Sequence, residues 1–273
     1  PRYASLLEMR GGFGTVNEVE EGLRNFGAQD LRDLQVLFNL SWLGFMARRD
    51  AGIAALIAKG RAYSEADKRY VLDYQIKLMT ELLPLYRAAL AEGRIDITTS
   101  PFYHPIAPLI MNVGNALRCG EVQLPAETFA QPDDLETQLV RALELHERVF
   151  GGRPRGLWPA EGAVCPELVD VLARHGFEFS LSDEDILFNS LKQPRSEIAL
   201  NRPYTVRHGG AELKMFFRDR GLSDAIGFVY GQNQPHEAAA DFVRRLEKMG
   251  GEQGGFVSVI LDGENPWEHY ADG

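Results

Sequence analysis

Arg155-Gly-Leu-Trp-Pro-Ala-Glu-Gly-Ala-Val-Cys-Pro-Glu-Leu-Val-Asp-Val-Leu-Ala-Arg-His-Gly-Phe-Glu-Phe-Ser-Leu181 reads as strand, loop, helix and strand. Gly156–Pro159 is a short extended run, a helix starts near Pro166 and continues to His175, and Phe177–Leu181 is extended again. A helix between two short strands argues for a parallel βαβ unit. The same grammar spreads outward from it. Further strand-like runs occur at Ile95–Thr99, Tyr204–Arg207, Leu213–Phe217 and Phe256–Leu261, and helical stretches at Asp133–Phe150 and Pro235–Met249. A barrel and an open doubly wound sheet both satisfy this pattern.

The first ninety residues read as helical instead. Thr15-Val-Asn-Glu18 is a capping-box pattern, in which the threonine oxygen takes a free amide and Glu18 reaches back. Leu31, Leu34, Val36, Leu37, Leu40 and Leu43 recur as a helical stripe. Ser64-Glu-Ala-Asp67 starts another helix, to about Leu90, whose Tyr70, Val71, Tyr74, Ile76, Leu78 and Leu82 are expected in the core, with a kink at Pro84. Nothing reads as an internal repeat or linker, so residues 1–273 are taken as one domain.

Composition excludes several classes. With 45% hydrophobic and 25% charged residues the chain is an ordinary globular protein. A formal net charge of −10 without a clustered basic face argues against nucleic acid and suits a neutral, hydroxyl-rich substrate. Two unpaired-looking cysteines, Cys119 and Cys165, make neither a disulfide scaffold nor a cysteine zinc site. No apolar run approaches the ~20 residues of a membrane helix. Because the chain starts at Pro1, it is read as a piece of a longer protein, with a cytoplasmic location as the working expectation.

Four segments carry more polar and aromatic side chains than strand ends require. Arg94–Leu109 runs from a strand into a loop with Tyr103, His104 and three prolines, a stiff backbone that loses little entropy on gripping a ligand. His104 serves equally well as a sugar partner or a satisfied loop histidine. Glu161 follows Trp158-Pro159 at the C-terminal strand edge, where catalytic side chains cluster in α/β folds. A helix-start carboxylate is the plainer reading, but the indole of Trp158 can tune a carboxylate and stack on a sugar ring. In Lys214–Tyr230, period-2 alternation puts Met215, Phe217 and Asp219 on one face and Phe216 and Arg218 on the other, so Asp219 is expected to face the same interior as its apolar neighbours. Asp224 competes with it, although Leu222-Ser-Asp224 also reads as a helix N-cap. Finally, Asp262, Glu264, Asn265, Trp267, Glu268 and His269 crowd behind the last strand as a sugar-subsite or metal-loop composition.

Taken in order, these segments resemble glycoside hydrolase family 57. The resemblance rests on Ser100-Pro-Phe-Tyr-His-Pro-Ile106, Trp158-Pro-Ala-Glu161, Phe217-Arg-Asp-Arg-Gly-Leu-Ser-Asp-Ala-Ile-Gly-Phe228 and Asp262-Gly-Glu-Asn-Pro-Trp267, with Asp30–Trp42 similar to the helix that precedes them. It implies an α/β fold, a (β/α)7-type barrel that is incomplete here and has a helical N-terminal portion. It also implies a retaining enzyme acting on α-glucans, with Glu161 as nucleophile, Asp219 as general acid/base, and no metal or organic cofactor. Tyr103, His104, Trp158, Asp224, Asp262, Glu264 and Trp267 become the substrate-binding candidates. No nucleic-acid or membrane partner is implied. Residues 217–230 lean toward the amylase and amylopullulanase side of the family.

This chain departs from the family pattern in lacking the His-Gln-Pro segment of the first barrel strand and in carrying Asp96 where many relatives have Glu, which leaves Asp96 a supporting role. Two rival readings remain. A metal-dependent polysaccharide deacetylase would need an Asp and two His at ligand spacing, and none of the six histidines forms a His-x3–5-His pair. A non-catalytic sugar-binding relative is the other.

Overall fold

The computed structural model describes residues 2–11, 14–195, 198–250, 255–263 and 270. It divides into two compact units, a helical one ending at Ala88 and an α/β one beginning at Ala89.

The helical unit contains α1 (Arg2–Arg10), α2 (Val16–Arg24), α3 (Ala28–Ser41), α4 (Phe45–Arg48), α5 (Ala51–Lys59) and most of α6 (Glu65–Ala91). The Thr15 capping box forms as expected, with Glu18 N–H donating to Thr15 Oγ1 at 3.3 Å and Thr15 N–H donating to Glu18 Oε2 at 2.9 Å. Ser64 and Asp67 repeat the device at the start of α6. Val36, Leu40, Leu43, Ala47, Ile53, Leu56, Tyr63 and Val71 make its core. The expected stripe on α6 is corrected here: Val71 is fully buried, whereas Tyr70, Ile76, Leu78 and Leu82 are exposed. The cluster draws on only the first three turns of this 27-residue helix, through Val71 and Tyr74, and the helix outruns the small core beside it and continues through Pro84.

The α/β unit is built on a four-stranded sheet, β1 (Gly156–Leu157), β2 (Phe179–Asp183), β3 (Tyr204–His208) and β4 (Ala211–Arg218), in the order β1-β2-β4-β3. β1, β2 and β4 are parallel, and single parallel bridges add Thr99 beside Leu157 and Ser258 beside Arg218. Five segments, at Thr99, β1, β2, β4 and Ser258, thus run the same way and lie side by side in chain order, with β3 outside this series. The sequence reading did not foresee that β3 pairs antiparallel with β4. The reason is local: Gly209 (φ 56°) and Gly210 (φ 93°) take consecutive left-handed conformations, which a two-residue hairpin turn requires.

The connecting helices are α7 (Ala107–Met111), α8 (Pro132–Phe150), α9 (Pro166–Arg174), α10 (Glu184–Leu191), α11 (Arg220–Asp224) and α12 (Pro235–Gly250). Leu135, Leu139 and Leu143 of α8 and Leu168 and Leu172 of α9 pack with Leu157, Leu213, Met215 and Phe217 into one core. Each of these fully buried side chains contributes about 1.5–3 kcal/mol. No helix of the described residues is long and apolar enough to cross a membrane.

Sheet register decides what each strand face meets. Ser180 pairs with Met215 and Ser182 with Phe217, while Leu181 pairs with Phe216 and Asp183 with Arg218. Met215 and Phe217 therefore point into the core beneath α9 and α10, and Arg218 and Asp183 point to the opposite side.

Candidate active site

Two adjoining cavities, of about 330 and 380 Å³, open at the C-terminal edge of the parallel strands and share Trp158, Glu161, Ile260, Leu261 and Asp262. The first adds Asp183, Arg218, Arg220, Ser223, Asp224 and Phe228, and the second adds Thr98 and His104.

Glu161 stands in the turn between β1 and α9 with φ 56° and ψ 18°, a left-handed conformation that is open to achiral glycine and that L-residues other than Asn and Asp rarely adopt. Gly162 follows with φ 66°. The turn is closed by Gly162 N–H to Pro159 O at 2.9 Å and Ala163 N–H to Ala160 O at 3.0 Å, and it leaves Glu161 exposed to the cavities while Ala160 and Gly162 are buried. His104 is also left-handed, with φ 54°. Four described residues other than glycine have positive φ, and two of them line this site. Strain of this kind persists where surrounding structure enforces it, and it gathers at functional sites.

On the far side of the first cavity, Asp183 organises two arginines. Its carboxylate accepts from Arg218 Nε at 2.7 Å and from Arg220 Nη2 at 2.6 Å. Burial works to raise its pKa, but the N–H of Asp185 and the two guanidinium groups outweigh it and hold Asp183 below the usual carboxylate range. Arg218 Nη1 then reaches Asp224 Oδ1 at 3.5 Å, and Arg220 Nη1 reaches Asp185 Oδ2 at 2.7 Å. Next to them, burial pushes Glu184 above its ordinary value, against the donation it accepts from Arg220 N–H and with help from the negative charge of Asp219.

Asp219 lies just past β4, as its motif position implies, but its side chain is buried and does not line either cavity. Asp219 is the N-cap of α11, with Oδ1 accepting Leu222 N–H at 2.7 Å. The expectation that it shares an interior with Met215 and Phe217 is corrected in one respect: those two meet the core under the helices, and the cavity-facing side chain of this strand is Arg218. The N-cap reading of Leu222-Ser-Asp224 is corrected too, because the cap is Asp219 and Asp224 makes no cap hydrogen bond.

Of the other candidates, Trp158, His104, Asp224 and Asp262 are brought together around Glu161. Tyr103 is not: it is exposed, edge-on to Phe102, and its N–H donates to Gln138 Oε1. Glu264 and Trp267 fall outside the described residues. Asp96 is exposed, with its carboxylate on the adjacent Ile97 N–H. Among the described residues, no three His, Cys, Asp or Glu side chains converge as a metal-ligand set. Sequence reasoning missed Asp183, Arg218 and Arg220 as site residues. An acid two residues beyond the last apolar residue of the run Phe177–Leu181 was the available signal for Asp183.

A family model described as Glycosyl hydrolase family 57 matches residues 8–273. The chain is 23% identical over 148 residues to an alpha-amylase of Pyrococcus furiosus, covering 54% of this chain and 19% of that protein. It is 25% identical over 173 residues to alpha-amylase 1 of Dictyoglomus thermophilum, covering 62% and 20%. The chain thus spans about a fifth of the length of the curated relatives it matches. In fold it is similar to a branching enzyme of Thermococcus kodakaraensis, with a TM-score of 0.54 at 13% identity, covering 88% of this chain and 52% of that one.

Proposed function

Because the chain belongs to glycosyl hydrolase family 57, we propose that it is the catalytic part of a retaining glycosidase or transglycosidase acting on α-glucans. The observation that carries this reading is Glu161, exposed and held in a left-handed turn beside Trp158 at the wall of a strand-edge cavity. Five parallel segments laid side by side in chain order support a sheet that curves toward a (β/α)7 barrel.

In this mechanism the Glu161 carboxylate attacks the anomeric carbon as the glycosidic C–O bond breaks, giving a glycosyl-enzyme, while a protonated carboxylic acid gives its proton to the leaving oxygen. The same carboxylate then takes a proton from water or from a sugar hydroxyl, whose oxygen displaces Glu161. Water gives hydrolysis and a sugar gives transfer. The indole of Trp158 suits the C–H face of a ring, and the acid and guanidinium groups of Asp262, Asp224 and Arg218 suit its hydroxyls. We assign the acid/base role to Asp219, whose place at the end of β4 matches the family motif. A second reading gives it to Asp224, because Asp224 lines the cavity with Glu161 and Asp219 does not.

Turnover of maltooligosaccharides and of an aryl α-maltoside with an activated leaving group tests both. Glu161→Gln should lower turnover of both substrates by at least ~10³-fold, the scale of losing a covalent nucleophile. The acid/base variant should lose far more on the maltooligosaccharide, because an activated leaving group departs without a proton. That signature in Asp219→Asn supports the first assignment, and in Asp224→Asn the second. Near-native turnover by Glu161→Gln would remove the nucleophile assignment altogether.

A further inference from the structure

The turn that carries Glu161 is tethered from outside. Backbone pairing between β1 and β2 covers Gly156 with Phe179 and Leu157 with Ser180, and ends there. Beyond it the chain leaves the sheet at Trp158-Pro159 and makes the two consecutive left-handed residues Glu161 and Gly162. At that point a side chain takes over from the ladder. Ser182, on β2 and fully buried, donates its hydroxyl proton to the carbonyl oxygen of Gly162 at 2.6 Å. One rung earlier Ser180, equally buried, donates to Leu157 O at 2.8 Å. Ser180 fastens the end of β1, and Ser182 fastens the turn that follows it.

The turn lies against β2 and Trp158 at ordinary packing distance, so the bond acts on a segment already in contact with its support. A Cβ placed on Gly162 would lie 3.5 Å from the Trp158 indole, 3.7 Å from Ser182 Cα and 3.7 Å from Asp183 N. The backbone of β2 thus abuts the residue next to Glu161. A left-handed glutamate tends to relax toward ordinary conformations, and a buried carbonyl fixed one residue away resists that relaxation.

We propose that Ser182 is a positioning residue of the glycosidase site: through the Gly162 carbonyl it holds Glu161 at the distance its attack requires. The inference rests on Glu161 being the nucleophile. Misplacing a reacting group by about 1 Å costs up to ~10²-fold in rate, so the effect should fall on kcat and leave ground-state binding largely alone.

The test compares Ser182→Thr, which keeps the hydroxyl, with Ser182→Val, which keeps the threonine shape without it, and with Ser182→Ala. Each is measured in the whole protein with maltoheptaose, alongside thermal unfolding and the pH profile of kcat/KM. Valine and alanine should lower kcat ~10–100-fold with KM within ~3-fold of the parent. Threonine should restore kcat to within ~5-fold, and the acid limb of kcat/KM should move in the valine variant but not in the threonine one. Equal kcat for the threonine and valine variants overturns the proposal. So does a parental kcat in the alanine variant, which decides the matter if threonine proves too large to fold. Glu161→Gln separates the two levels: if it keeps near-native turnover the nucleophile reading has failed, and if it is inactive while valine equals threonine only Ser182 has.

Discussion

Two acids, Asp33 in the helical unit and Glu161 in the α/β unit, show how differently one protein uses a carboxylate. Asp33 is 1% exposed and accepts four donors: Tyr63 N–H at 2.9 Å, Ala62 N–H at 3.1 Å, Gln29 Nε2 at 2.8 Å and Arg2 Nε at 3.3 Å. Burial raises its pKa, but the N–H of Tyr63, the amide of Gln29 and the remaining donors outweigh that and hold the carboxyl below its ordinary value. Its backbone partners pin the segment entering α6 against α3. Glu161 is exposed, sits on strained backbone and faces open cavities. Burial of an acid is therefore a poor guide to chemistry here. The buried one is consumed by architecture, and the one proposed as nucleophile is strained and solvent-facing.

The hardest way to break this contrast is to remove Asp33. Asp33→Ala removes a buried acceptor shared by two backbone N–H groups, the Gln29 amide and a guanidinium nitrogen, which should destabilise the helical unit by about 3 kcal/mol. Turnover per folded molecule, measured well below the melting temperature, should stay parental. The folded pKa of Asp33 is depressed, so its contribution is complete above the unfolded carboxyl range and is lost as pH falls through the folded value. Thermal melts between pH 7 and pH 3 should show that slope in the parent and a flatter one in Asp33→Ala. A variant that melts with the parent would show that the four hydrogen bonds are incidental.

What the sequence disclosed follows the same division between architecture and site. Period and punctuation located β1, β2, β3, β4, α8, α9 and α12 to within about two residues at each end, because helices and strands buried on a core leave periodic marks. The hairpin was legible in part, since Gly209-Gly210 lies within the five residues between the strand-like runs Tyr204–Arg207 and Leu213–Phe217, but the surrounding alternation of strands with helices points to parallel pairing instead. The face of β4 was harder. Alternation correctly separates Met215 and Phe217 from Phe216 and Arg218, yet a strand covered on both sides carries no sign of which cover is the core and which the cavity. Asp183 was missed because β2 runs two residues past Leu181, where the apolar signal ends. The positive φ of Glu161 leaves no trace in composition; only the glycine after it hints at a turn.

A smaller effect of opposite sign sharpens the comparison. If Glu161 is strained for its task, Glu161→Gly should abolish turnover while stabilising the α/β unit by about 0.5–1 kcal/mol, since glycine takes the left-handed conformation without the Cβ clash but loses more chain entropy on folding. Calorimetry on the parent and Glu161→Gly reads the difference directly. Destabilisation instead would mean that the Glu161 side chain makes contacts worth more than the strain, and the contrast with Asp33 would narrow.

The smallest effect comes from an acid that matches neither type. Glu167 at the start of α9 takes two bonds from Arg118, Nη1 at 2.8 Å and Nη2 at 2.7 Å, and that pairing lowers its pKa to about 2 from 4.5. The direction is that of Asp33: stability present above 4.5, fading as pH falls toward 2. The size is not, because both side chains are more than 40% exposed and water screens the pair. Glu167→Gln should therefore cost ~0.5 kcal/mol or less at neutral pH, and in ~1 M salt the difference from the parent should vanish. The loss from Asp33→Ala should persist in that salt, since counterions do not reach a carboxylate enclosed by backbone amides. If salt erased both losses alike, enclosure would not be what separates Asp33 from the surface acids, and the structural role assigned to it would fail.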